Sequence, residues 1–189
     1  MTTAYLKLSL LASLLTLAGC SSTPSQPKIS ELHNTVGKLN KEMRQLTRQA
    51  SALEQQGHLN GGSAQGAWLL PQANTGVILK SQVGDLKLSL SHLQTEANGS
   101  RASLNIHAMA DAPLPSFSAE VEWGELDSAT GKPISISSLS QRIEVVSSLL
   151  PRSQASVPLR LSNLPPEQLG YVRIHDVVPT PSAATETRP

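Results

Sequence analysis

The chain is predicted to be a mainly β protein with one long N-terminal helix: an antiparallel two-layer β-sandwich, immunoglobulin-like, preceded by a coiled-coil-type helix. Three observations carry this prediction. From Ile29 to Leu53 an apolar residue recurs alternately three and four positions apart, the 3.5-residue period of a coiled-coil seam. Between residues 67 and 178, several runs alternate apolar and polar side chains, as half-buried strands do. Clusters of Pro, Gly and Ser divide those runs at short intervals, the spacing of a sandwich built from many short strands.

The element before the helix is a leader. Lys7 precedes an apolar run from Leu8 to Ala18, too short for the roughly 20 residues a bilayer span requires but suited to a cleavable signal. Leu17-Ala18-Gly19-Cys20 closes that run and reads as a bacterial lipobox. Residues 1-19 are therefore expected to be a signal peptide. Cys20 becomes the first mature residue, with diacylglycerol on its sulfur and an acyl group on its amine. Each buried acyl CH₂ contributes about 0.8 kcal/mol, so several chains hold far better than one. Cys20 is also the only cysteine, and its acylation leaves no thiol for a disulfide, a nucleophile or a metal site. Ser21 follows it rather than Asp, which for a Gram-negative lipoprotein implies the outer membrane, on its periplasmic face.

After the leader the chain divides into a lipidated spacer at 20-27, a coiled-coil helix at 28-56, a linker at 57-66, the β-sandwich domain at 67-178 and a disordered tail at 179-189. The helix seam is Ile29, Leu32, Val36, Leu39, Met43, Leu46, Ala50 and Leu53. With Ile29 at position a, every d position is Leu and the a positions are Ile, Val, Met and Ala, a mix that leans toward a parallel two-stranded coil. The flanking e and g positions hold few charges, so they do little to dictate a partner. At 1.5 Å per residue the helix is roughly 40 Å long, with Gly57 as the expected C-cap. An isolated helix is marginal without cover for its apolar stripe. That cover is self-association, the β domain or a helical partner protein. Lys28, Lys38, Lys41, Arg44 and Arg48 outnumber Glu31, Glu42 and Glu54 along it, which reads as a solvated face or as contact with anionic head groups near the anchor.

Within the β domain, Ser116 to Trp123 places Phe117, Ala119, Val121 and Trp123 on one face and Ser116, Ser118, Glu120 and Glu122 on the other. Leu86, Leu88 and Leu90 alternate on one side of Asn98-Gly99, and Leu104, Ile106, Ala108 and Ala110 on the other. A hairpin is expected there, with Gly99 left-handed in a three-residue loop, Glu96 opposite Ser100 and Leu90 opposite Ile106, at the cost of a misfit at Leu93. Further period-two runs are Ile134 with Ile136, Ile143 with Val145, Ala155 to Leu161, and Val172 with Ile174. Pro158 marks an edge strand or a bulge. Ala67 to Leu70 is a short first strand, and the turn before Tyr171 suggests a corner tied down by the tyrosine hydroxyl.

Composition and motifs narrow the function. The chain has 15 Lys+Arg against 14 Asp+Glu, and without Lys7 the two are equal, so no nucleic-acid partner is implied. Aromatic content is 3%, so the interior rests on Leu, Val, Ile and Ala. His33, His58, His92, His107 and His175 are scattered and fit no metal-ligand spacing. His175-Asp176 supplies part of a triad, but no Gly-x-Ser-x-Gly elbow accompanies it, and neighbours on a strand point to opposite faces. Glu120 and Glu122 share a face, read as solvated carboxylates on an edge strand. No catalytic residue, metal or cofactor is assigned.

Leu17-Ala18-Gly19-Cys20-Ser21-Ser22, the segment Lys28 to Gln56, Val121-Glu122-Trp123-Gly124, and Leu159-Arg160-Leu161 through Pro165-Pro166 to Asp176 resemble the YajI-type lipoproteins of enteric bacteria. The resemblance covers most of the mature chain. It implies a lipoprotein domain and its location, and assigns no site residue, because that family is one of unknown function. The expectation is a non-enzymatic lipoprotein, anchored to the outer membrane by Cys20, whose helix spaces or oligomerises a β-sandwich that binds an envelope protein at its strand edges. The rival is a peptidoglycan or carbohydrate binder, which needs exposed aromatic platforms.

Overall fold

The computed structural model describes residues 26–62, 66–146 and 148–180. The expected signal peptide, Cys20, most of the spacer and the tail beyond residue 180 lie outside the described residues. The chain divides into two compact units, one through Met43 and one from Arg44 onward.

Helix α1 runs from Gln26 to Gly61. It passes through Gly57, where the sequence suggested a stop, so residues 57–61 are helix and not linker. The reason is tertiary: Gln56 and Asn60, on either side of Gly57, are bonded to the backbone of the β domain, and that outweighs the weak helix propensity of one glycine. In the first unit, Ile29, Leu32, Val36, Leu39 and Met43 are all exposed.

The second unit is an antiparallel sandwich of strands β1 (Ala67–Leu69), β2 (Val77–Ser81), β3 (Gly84–Glu96), β4 (Gly99–Ala108), β5 (Phe117–Gly124), β6 (Leu139–Val145), β7 (Gln154–Ser162) and β8 (Tyr171–Pro179). One four-stranded sheet has the order β1-β8-β5-β6 and the other β2-β3-β4-β7. The inward rows meet in a core of Leu86, Leu88, Leu104, Ile106, Phe117, Val121, Leu159, Leu161 and Ile174, almost entirely withdrawn from solvent. Trp123 joins them, and its indole N–H donates to the Ser162 carbonyl across the sandwich at 3.1 Å.

Several expectations need correction. Strand β2 was not anticipated; it pairs with the start of β3 through Val77 opposite Leu88 and Leu79 opposite Leu86. Ile134 and Ile136 form no strand: residues 135–137 are a 3-10 turn and Ile136 is fully exposed. The β3–β4 hairpin has Glu96 opposite Gly99, Leu90 opposite Leu104 and Leu88 opposite Ile106. The register shifts between Ser91 and Gln94, at a bulge where His92 has φ 52°. The bulge absorbs the extra residue and returns Leu93 to partial cover against the core, so the misfit at Leu93 is resolved without a longer loop. Strand β5 is not an edge: it is paired with β8 on one side and β6 on the other. Pro158 does lie on an edge strand, β7, whose only partner is β4.

Candidate functional site

The second half of α1 and the outer edge of β1 form the most specific junction in the described residues. Ala52 and Gln56 are buried there, and Leu59 is half-buried. Their spacing of four and three residues defines one helix face. This face meets Leu70, Ala73 and Tyr171 in a small second core, with Trp68 and Leu126 at its margin.

Polar side chains make the joint directional. Asn60 accepts from the Trp68 N–H at 2.9 Å and donates to the Trp68 carbonyl at 2.8 Å. Gln56, itself buried, accepts from the Leu70 N–H at 2.7 Å. Two carboxamides thus bond the edge of β1 as a neighbouring strand does. Gln55 adds a 2.7 Å bond to the Gly131 carbonyl in the loop after β5. Thr47, Arg48 and Ser51 face Glu125, Asp127 and Glu167 across a cleft of about 600 Å³ beside this joint. Asp127 caps the 127–131 turn, and bonds from the Thr130 hydroxyl and the Thr130 and Ala129 N–H groups hold its carboxyl below the ordinary range.

Leu46, Ala50 and Leu53 belong to the predicted seam, and in this unit all three are exposed. At about 100° per residue, they lie on a different side of the helix from Ala52, Gln56 and Leu59. Within the second unit the helix segment therefore docks on the β domain, but by a polar-amide face outside the seam. Gln55, Gln56 and Asn60 leave no mark in the apolar period of the helix, because amides do not contribute to it.

On the outer face of the first sheet, Glu122 receives the Tyr171 hydroxyl at 2.9 Å and Arg173 at 3.3 Å, with His175 Nε2 at 3.8 Å. Arg173 also lies over the Trp68 ring, 4.9 Å from its centroid, and Trp68 and Tyr171 are 5.0 Å apart. The tyrosine hydroxyl thus crosses to β5 instead of tying down its own turn. Burial, followed by the Glu122 carboxylate, pushes the Tyr171 phenol well above its ordinary range. His175 and Asp176 do meet, with Nδ1 and Oδ2 2.8 Å apart. A register shift at Ser118/Glu120 and φ 49° at Asp176 break the strand alternation that would have separated them. Glu120, Glu122, Ser138, Ser140 and His175 line a shallow hollow there. Among the described residues no three His, Cys, Asp or Glu side chains are grouped to hold a metal.

Trp123 and Phe117 are buried in the core, Tyr171 is fully buried and Trp68 is covered by Arg173 and Tyr171. Trp123, Phe117 and Tyr171 are closed to a stacking sugar, and on the partly buried Trp68 the Arg173 guanidinium already occupies a ring face.

These features describe a module in which the helix segment from Arg44 onward is fixed to the edge of an antiparallel sandwich. Residues 23–185 match the family described as "Protein of unknown function (DUF3251)", and the chain belongs to that family. It is 36% identical over 179 residues to the uncharacterized lipoprotein YajI of Escherichia coli (strain K12), covering 95% of this chain and 98% of that one. The solution NMR structure of that E. coli lipoprotein superposes with a TM-score of 0.67 at 34% identity, over 75% of this chain and 84% of the other. The Salmonella enterica trimeric lipoprotein SadB is similar in fold, with a TM-score of 0.50 and 19% identity over 92% of this chain and 88% of its own.

Proposed function

We propose that this lipoprotein is held by acyl groups on Cys20 to the periplasmic face of the outer membrane, self-associates through its helix seam, and presents its β-sandwich to an envelope protein. It acts by binding and not by catalysis. The observation that carries this reading is the division of labour on α1: an amide face locked to β1, and a leucine-rich seam left uncovered. Leu32, Leu39 and Leu46 are 64%, 66% and 65% exposed, a poor arrangement for a helix that works alone. Acyl anchors confine copies to one plane and raise their local concentration, which favours a second copy as cover for the seam. The fold relative SadB is described as trimeric, so both dimer and trimer are expected stoichiometries.

The peptidoglycan or carbohydrate reading is the weaker one, because the aromatic rings are turned inward or covered. Crosslinking in the intact envelope with mass spectrometry tests the proposal. Seam-to-seam crosslinks between copies and sandwich crosslinks to one envelope protein support it. Salt-resistant retention on purified sacculi, with a strictly monomeric chain, overturns it. Labelled palmitate tests the anchor separately: uptake that persists in Cys20→Ala rules out acylation at Cys20.

A further inference from the structure

The sandwich has four edge strands, β1, β6, β2 and β7, and they are not equally open. The edge of β1 is occupied by Asn60 and Gln56. Strand β7 contains Pro158, which lacks a donor. Strand β2 has only five residues and carries an exposed lysine, Lys80, a common guard against pairing. Strand β6 is longer, at seven residues, and its exposed charges are of both signs, Arg142 and Glu144. Its register with β5 is unbroken from Leu139–Trp123 to Val145–Phe117, and it holds neither proline nor bulge. Among the described residues, no hydrogen bond outside that ladder reaches its backbone.

The outward row of β6 is Ser140, Arg142 and Glu144, all exposed, and it continues into Val146, 80% exposed; one guanidinium nitrogen of Arg142 donates to the Ser118 hydroxyl at 2.6 Å, which leaves its other donors for a facing carboxylate. The inward row is Gln141, Ile143 and Val145. In an antiparallel pair, directly opposed residues share a face and alternation must be kept. If a second β6 pairs with the first about a twofold axis at Ile143, Arg142 of each copy stands opposite Glu144 of the other. Ile143 then meets Ile143, Gln141 meets Val145, and Ser140 meets Val146. The neighbouring registers fail: centring on Arg142 sets Arg142 against itself, and centring on Glu144 sets Glu144 against itself. Opposite charges across strands stabilise and like charges destabilise, so the Ile143-centred register, the one that opposes Arg142 and Glu144, is favoured.

We infer that β6 is a self-pairing edge: two copies join antiparallel strands about Ile143 and merge their β1-β8-β5-β6 sheets into one of eight strands. The occupant is a second copy because β6 itself supplies the acid–base order that its own edge requires. This goes beyond the helix seam and uses a separate surface.

The test uses the full-length mature protein, purified in detergent, with the seam silenced by Leu39→Lys and Leu46→Lys so that residual association belongs to the β domain. Sedimentation velocity is expected to give a dimer. Either Arg142→Glu or Glu144→Arg turns both cross-strand pairs repulsive and weakens the dimer about tenfold or more. The double variant Arg142→Glu/Glu144→Arg restores it. Circular dichroism checks that each variant is folded. In parallel, hydrogen exchange at rising protein concentration is expected to slow at the amides of residues 139–145 and not at those of β2 or β7. A monomer on the silenced background, a double variant no tighter than the singles, or new protection confined to β2 or β7 would each overturn the inference. The helix-seam proposal would survive any of these results, since it is judged on the unsilenced chain.

Discussion

Asn60 treats Trp68 as a strand treats its neighbour, taking both the N–H and the carbonyl of that one residue with a single carboxamide. Removing the amide leaves two backbone groups of a partly covered edge without a protein partner. Asn60→Ala is expected to cost about 1–3 kcal/mol, and Gln56→Ala a similar amount through the Leu70 N–H. Urea unfolding followed by circular dichroism checks this, and an unchanged midpoint for both variants would contradict the role assigned to the joint.

Substitutions in the seam should behave in the opposite way. Leu32→Lys, Leu39→Lys and Leu46→Lys replace exposed side chains and are expected to change unfolding of the isolated chain by no more than about 0.5 kcal/mol. The same changes are expected to abolish seam-mediated oligomers, read by sedimentation of the otherwise native protein.

Tyr171 links stability to alkaline pH. Its phenol is raised in the folded protein above the ordinary value of 10.0, so the folded state favours the neutral hydroxyl. The resulting stabilisation is complete below pH 10 and is lost as pH rises beyond it. The chain has 2 tyrosines, and Tyr5 falls in the expected leader, which leaves Tyr171 as the sole phenol of the mature protein. While the protein is folded, phenolate absorbance is expected to lag behind that of a free phenol as pH rises past 10, and to appear in full with unfolding. Glu122→Gln should move the transition toward pH 10.

Gly99 follows the hairpin turn at φ 135°, a conformation that side chains rarely adopt. A Cβ there would run into the backbone carbonyl of Leu161 and crowd Asn163. Gly99→Ala is expected to destabilise the sandwich by about 2 kcal/mol or more, measured by thermal denaturation. Tolerance of alanine would mean that β4 and β7 are less closely apposed at this end.

The period-two rows of β4 and β7 are legible because one face of each is buried and the other is not, and those of β5 and β8 because most of their outward positions are polar. That contrast is what a period in hydropathy records. Strand β2 escaped notice because Val77, Ile78 and Leu79 are three apolar residues in succession, with only Leu79 buried. The hairpin register was out of reach because it depends on a bulge at His92, where the chain spends one residue outside the ladder. A bulge equally joined His175 to Asp176 against the rule of alternation. The seam of α1 was plain as a pattern, but the face that fixes the helix to β1 was not, since it consists of Ala52 and carboxamides whose partners lie in backbone groups of a strand. Glu122, Tyr171 and Arg173 come from β5 and β8, which are far apart in sequence, and only the pairing of those strands reveals them as neighbours.

The position of Trp68 gives the molecule an internal optical reporter. The chain has 2 tryptophans, and they occupy different surroundings. Trp123 is embedded between the sheets, whereas Trp68 lies at the helix joint beneath Arg173. Release of the helix alone would wet one indole and leave the other dry. Emission from a Trp123→Phe protein should therefore signal detachment of α1, while emission from Trp68→Phe stays silent until the sandwich itself comes apart.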